Sequence, residues 1–173
     1  HAFCHAVPGM WHAMGVMLNA AGALRWLHDV TGDADYDQLM AEAERWEPGV
    51  EGLTFLPYLA GERTPHADPD ARGAFAGLSL RHDRGALTRA VLEGVAFGLR
   101  DALDLLGADA AVGRVSGGGA RSAEWLRIIA SVHELEPELV GADEGAAHAA
   151  ALLGGAPPGR WPGMAPPGRA PGS

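Results

Sequence analysis

Only one cysteine, Cys4, stands in the 173 residues, which excludes an internal disulfide and favours a reducing cytoplasm. Basic residues are also few: 13 against 22 acidic ones, for a formal net charge of −9. They form no run longer than two, so a polyphosphate backbone is a poor partner and no nucleic acid is expected. A single nucleotide is not excluded, because a few backbone N–H groups outweigh distant charge at short range. Long hydrophobic runs are missing as well. The least polar stretch, residues 13–24, is interrupted by Asn19 and falls well short of the roughly 20 residues of a spanning helix. No signal-peptide pattern opens the chain. The expectation is a soluble, cytoplasmic protein with no membrane partner.

Several chemical signatures are absent too. There is no G-x-x-x-x-G-K-[ST] phosphate loop, no G-x-G-x-x-G and no G-x-S-x-G nucleophile elbow. Eight histidines invite a metal reading, above all His1, Cys4, His5 and His12. On a strand, however, neighbouring Cys4 and His5 point to opposite faces, and no closed set of four ligands forms. No metal site is expected; these read as residues of a partly buried strand edge.

What is present suffices for a buried core: 47% of residues are hydrophobic and 20% charged, ordinary values for a globular chain of one-domain length. The first residue is His1 rather than Met, which reads as a fragment or processed piece. Two strands are predicted around Pro8-Gly9, then a helix over 19–30 stopped by Gly32, and a second over 36–46 ended near Pro48. Residues 53–59 and 73–80 read as strands. Leu87, Val91, Val95, Leu99, Ala102 and Leu106 trace one stripe of a long helix with Gly107 as its C-cap. Gly94 and Gly98 lie one turn apart on it. Since each costs about 1 kcal/mol against Ala in a helix, they predict close approach of another element. A strand over 111–116, three glycines and a helix capped by Ser122 follow, with Glu124 suited to that helix's positive end. Leu139-Val140 reads as a short strand and Asp143 as the cap of a last helix through Leu153. Residues 155–173 hold five Gly and six Pro and read as a disordered tail, leaving 1–154 as one layered α/β domain.

The most informative unit is Val115-Ser116-Gly117-Gly118-Gly119-Ala120-Arg121-Ser122: strand, glycine turn, helix start. Glycine allows positive φ and removes the Cβ that would obstruct a ligand. A helix start offers free N–H groups and partial positive charge. Alone, the pattern fits a tight turn equally well. The loop Gly61-Glu62-Arg63-Thr64-Pro65-His66-Ala67-Asp68-Pro69 is either a solvent loop with Asp and Pro turns or the lining of an interdomain cleft. In the second case Glu62 and Arg63 hold a hinge or shape the site.

Four blocks in order, HAFCHAVPGMWHAMGVMLNAAGALRWL, LPYLAGERTPHADPDARGAFAGLSL, RAVLEGVAFGLRDAL and VSGGGARSAEWLRII, resemble xylulokinase-type members of the FGGY family of carbohydrate kinases. The resemblance is collinear from His1 to about Val132 and weaker through 143–153. It implies the C-terminal lobe of an actin-like ATPase (ribonuclease-H-like) fold, a mixed sheet flanked by helices. Two such lobes close on ATP and a sugar.

The same resemblance implies that Gly117, Gly118, Gly119 and Ala120 lie against the adenosine and α-phosphate, with Ala21 and Arg25 bringing an earlier helix to the nucleotide. The residues themselves leave Ala21 and Arg25 open to an ordinary helical role. The implied reaction moves the ATP γ-phosphoryl group, with Mg²⁺, to a ketopentose, most plainly D-xylulose. Its catalytic aspartate and sugar contacts belong upstream, so no catalytic residue is assigned here and the piece alone is expected to be inactive. The alternatives are a non-catalytic remnant or interaction module, and another actin-like protein such as a chaperone-like ATPase or a regulator. The oligomeric state is not indicated. Departures from the family pattern are Ala123 where some relatives place an adenine-side Asn, Ala86 in place of a polar residue, and residues 133–138 in place of a glycine turn. In that last segment Pro137 forbids a continuous helix. After Gly155 the expected final helix gives way to the Pro/Gly tail.

Overall fold

The computed structural model describes residues 2–5, 9–32, 35–107 and 112–139. The predicted disordered tail, the helix capped by Asp143 and residue Val140 lie outside them. The architecture is built around one long helix, α3 (Arg84–Leu106), against which α1 (Ala20–Val30), α2 (Tyr36–Ala43), α4 (Ala123–His133) and strand β3 (Thr54–Leu56) all pack. Their shared core contains Leu27 from α1, Ala43 from α2 and Phe55 from β3. From the long helix come Val91, Leu92 and Val95, and from α4 Trp125 and Ile128.

Strands occur in three two-stranded ladders rather than one continuous sheet among the described residues. β1 (Ala2–Cys4) pairs antiparallel with β2 (Trp11–Ala13), and β3 with β4 (Ala74–Ala76). β5 (Val112–Val115) runs parallel to β6 (Glu136–Leu139). Both pairing types of a mixed sheet are thus present. β3 and β4 are shorter than the runs 53–59 and 73–80, which Pro57, Gly73 and Gly77 interrupt, whereas β6 starts at Glu136, before the expected Leu139.

Helix boundaries follow local chemistry. The Asp83 carboxylate accepts from the Ala86 N–H at 2.9 Å, so α3 begins one turn before the apolar stripe does. Gly107 ends it in the left-handed region, φ 60°. α2 closes at Ala43 rather than Trp46; turns with N–H bonds from Arg45 to Glu42 and Trp46 to Ala43 replace its last turn. The Arg84 guanidinium holds the Glu42 carboxylate by two hydrogen bonds of 2.6 and 2.8 Å, tying the end of α2 to the start of α3. Those bonds lower the Glu42 pKa to about 2. Their contribution is therefore present above the ordinary carboxylate range and lost as pH falls toward 2.

The glycines of α3 are contact points. A Cβ on Gly94 would lie 2.2 Å from the Phe55 carbonyl oxygen, and one on Gly98 would lie 2.2 Å from Met17 Cε. At Gly94 only hydrogen lets the backbone of strand β3 sit this close to the helix, whereas at Gly98 the neighbour is the flexible end of the Met17 side chain.

At the other end of α4, the chain does without the glycine expected there. Glu134 itself adopts the left-handed C-cap conformation, φ 55° and ψ 36°, and donates its N–H to Ala130. Pro137 then sits on the two-stranded β5–β6 ladder opposite Gly113, where a missing donor is tolerated. Glu134→Gly relieves the left-handed Cβ strain and is expected to stabilise by up to about 1 kcal/mol, the gain being partly offset by unfolded-chain entropy. An unfolding midpoint that rises in urea supports this; one that falls contradicts it.

A candidate nucleotide cleft beside the glycine turn

The three glycines have three different physical reasons. Gly117 has φ 88° and ψ −174°, a combination open essentially to glycine alone. Gly118 has no heavy atom within 4 Å of a notional Cβ, so a side chain there would project into open space. A Cβ on Gly119 would meet the Trp125 ring at 3.0 Å, so this glycine lets the turn rest on the indole. Backbone strain is therefore confined to Gly117; Gly118 is free of it.

The turn is a single 3₁₀ turn over Gly118–Arg121, closed by bonds from the Ala120 N–H to Gly117 and from the Ser122 N–H to Gly119. As the first donors of that turn, the N–H groups of Gly118 and Gly119 have no acceptor among the described residues. Ser122 then caps α4 by accepting from the Trp125 N–H at 3.1 Å. Ser122 thus serves the Trp125 N–H through its hydroxyl and the Leu126 N–H through its carbonyl.

A cleft of about 430 Å³ opens beside this turn. Gly118, Gly119 and Ser122 form one wall, with the Trp125 ring beneath. Ala21, Leu24 and Arg25 of α1 form a second, and Tyr36, Asp37 and Met40 of α2 a third. The structure thus brings Ala21 and Arg25 onto the same cleft as Gly118 and Gly119. Gly117 and Ala120 stand apart: one sets the entry angle of the turn and the other is tied back by its N–H. The α2 wall escapes the sequence reading, because nothing local reveals how α1 and α2 are set beside each other by their packing on α3. Trp125 was legible only as an apolar-face residue.

The two ends of the cleft differ electrically. Asn19 precedes α1 and makes no side-chain cap hydrogen bond, so the first-turn N–H groups near Ala21 have no acceptor among the described residues and carry the positive helix end. α2 is also uncapped, but its first turn carries Asp37, which opposes an anion. Negative charge is favoured at the Ala21 and glycine-turn end, and an apolar or aromatic group at the Tyr36 and Met40 end.

The Gly61 loop supports this arrangement from behind. Glu62 is 2% exposed, and its Oε1 accepts from the Leu18 N–H at 3.2 Å and the Arg63 N–H at 2.6 Å. The Thr64 N–H adds a 3.1 Å bond to Val16. The loop therefore clamps the coil that leads into α1, through Glu62 rather than the exposed Arg63. Among the described residues no group of three His, Cys, Asp or Glu is placed to hold a metal, and no helix is long and apolar enough to cross a membrane. Ala123 is exposed at the start of α4, whereas Ala86 is fully buried in the core.

The pattern of the FGGY family of carbohydrate kinases, C-terminal domain, matches residues 1–156. The chain belongs to that family. The xylulose kinase of Escherichia coli (strain K12) is 43% identical over 157 residues, covering 88% of this chain and 32% of that protein. The crystal structure of a xylulose kinase from Brucella ovis superposes with a TM-score of 0.80 at 47% identity, over 89% of this chain and 32% of that one. A gluconokinase from Bacillus licheniformis is 36% identical over 168 residues, 88% of this chain and 33% of that protein. The chain thus spans about a third of the length of the relatives it matches. Its helices and ladders form the FGGY version of an actin-like C-terminal lobe.

Proposed function

We propose that this FGGY lobe is the ATP-holding part of a sugar kinase that phosphorylates a ketopentose, D-xylulose first among the candidates. The observation carrying this reading is the pair of acceptor-free glycine N–H groups at the mouth of a cleft that also receives the open start of α1. When bound, ATP supplies the γ-phosphoryl group. Gly118 and Gly119 offer it main-chain donors without a Cβ in the way. The first turn of α1 at Ala21 favours the anionic end, and Arg25 lies one turn further along the wall. Glu62 keeps that helix start in place.

Mg²⁺ travels on the phosphates of ATP, and no residue of this chain is assigned to it. The aspartate that takes the sugar's hydroxyl proton and the sugar contacts are assigned to the part of the relatives that this chain does not span. The lobe alone accordingly binds nucleotide weakly, in the millimolar range, and transfers nothing. Similarity to both xylulose kinases and a gluconokinase supports the view that this lobe does not choose the sugar.

The test is a kinetic one on the lobe joined to the remaining portion of a xylulose kinase. Gly118→Val is expected to raise KM for ATP at least tenfold while leaving KM for xylulose and the thermal midpoint nearly unchanged, because its Cβ enters open space in the cleft. An unchanged KM for ATP refutes the cleft assignment. Activity on gluconate or glycerol but not xylulose refutes only the choice of sugar.

A further inference from the structure

We infer that Tyr36 is the platform on which the nucleobase stacks, held in place by His28 behind it; this rests on the nucleotide reading of the cleft. The Tyr36 and His28 rings lie parallel, with centroids 4.6 Å apart and planes 8° from each other. Tyr36 lines the cleft and His28 does not. One face of the phenol ring is therefore covered by the imidazole, on a residue that lines the cleft. Even with that stacking partner, Tyr36 remains 42% exposed. His28 is itself anchored by a 3.0 Å bond to the Asp29 carboxylate.

The placement within the cleft decides what this ring meets. Charge sorts a nucleotide along it. The open N–H groups near Ala21 and the glycine turn draw the phosphates, while Asp37, next to Tyr36, repels them. The base then comes to the opposite end, over Tyr36, with Met40 and Leu24 completing an apolar surround. His28 lies two turns beyond Ala21 on α1, about 10 Å along the axis, a span that suits a phosphate at one end and a base at the other. Every base has a π-face, so stacking favours purines by their larger area rather than by their edge pattern.

The experiment titrates the full chain with AMP, UMP and ribose 5-phosphate by NMR, comparing wild type with Tyr36→Phe and Tyr36→Ala. In the wild type AMP is expected to move both the Gly118 and Gly119 amides and the Tyr36 and His28 ring protons. Ribose 5-phosphate is expected to move the amides alone. Tyr36→Ala weakens AMP by roughly five- to a hundredfold and erases the preference over UMP, with ribose 5-phosphate unchanged. Tyr36→Phe keeps the wild-type order. If AMP moves the amides but not the Tyr36 ring, or if Tyr36→Ala binds AMP as well as wild type does, the stacking inference fails and the nucleotide reading stands. If AMP leaves the glycine amides unmoved, the nucleotide reading itself fails. The ring signals are read on the unsubstituted chain, so the inference stays testable should Tyr36→Ala not fold.

Discussion

Gly94→Ala is expected to destabilise the lobe by about 1–3 kcal/mol, and Gly94→Val to prevent its folding. Two effects compete at this position. Alanine improves helix propensity by about 1 kcal/mol over glycine, which would stabilise α3 if nothing else touched it. Against this, the new Cβ lies 2.2 Å from the Phe55 carbonyl oxygen and 3.1 Å from its carbonyl carbon, so helix or strand must move. The strand has little room. Phe55 is 2% exposed, its ring lies 4.7 Å from Phe75 and 6.1 Å from Trp26, and β3 is held in register with β4. Overpacking a closed core by one methyl group and shifting its backbone costs about 1–3 kcal/mol or more, so the clash wins over propensity. Urea unfolding followed by circular dichroism measures it. A midpoint at or above that of wild type would mean that β3 does not sit against α3 as described.

Arg89→Met should have a larger effect than Gly94→Ala, about 3–5 kcal/mol of lost stability. Arg89 is 7% exposed, and Glu93 and Glu124 beside it are 7% and 8% exposed. Its Nε donates to Glu93 at 2.7 Å, and its terminal nitrogen to Glu124 at 2.5 Å. Glu93 also accepts from the Gly49 N–H at 3.0 Å, and Glu124 from two Arg127 nitrogens at 2.8 and 2.5 Å. Methionine fills the volume but leaves two buried carboxylates with no guanidinium between them. Arg89→Lys recovers only part, because an ammonium lacks the planar fork that reaches both. The loss also has a functional side. Glu124 lies in the first turn of α4, two residues after the cap Ser122, so Arg89 fixes the helix start that carries the glycine turn. A stability loss below about 1 kcal/mol would show that Arg127 and Gly49 satisfy the two carboxylates without it.

These two sites show how much of the lobe is legible in its residues. Gly94 was readable as a contact point, since a costly residue inside a strong helical stripe needs a packing reason. The identity of its partner, Phe55, was not, because 39 residues separate them and no local pattern links strand to helix. The halves of the Arg89 network follow helical spacing, Arg89 to Glu93 at i,i+4 and Glu124 to Arg127 at i,i+3. Their junction across two helices depends on how α3 and α4 cross. Glu124, expected at the positive end of α4, stands in its first turn and is also a buried acceptor for Arg89. The C-cap of α4 was marked by the missing glycine, yet only the backbone shows that Glu134 takes its conformation. At the cleft, Gly117 to Ser122 announced a turn and a cap. The wall made by Tyr36, Asp37 and Met40 had no local signature, because it arises from the separate packing of α1 and α2 on α3.

The claim beneath the functional reading is that the N–H groups of Gly118 and Gly119 face a nucleotide. Titration of the isotopically labelled chain with ADP, up to millimolar concentration, addresses it residue by residue. The expected result is a saturating shift of the Gly118 and Gly119 amides together with Ala21 and Arg25, while Gly9 and Gly107, which do not line the cleft, stay still. Shifts confined to other surfaces, or none at the glycine turn at saturating ADP, would contradict it.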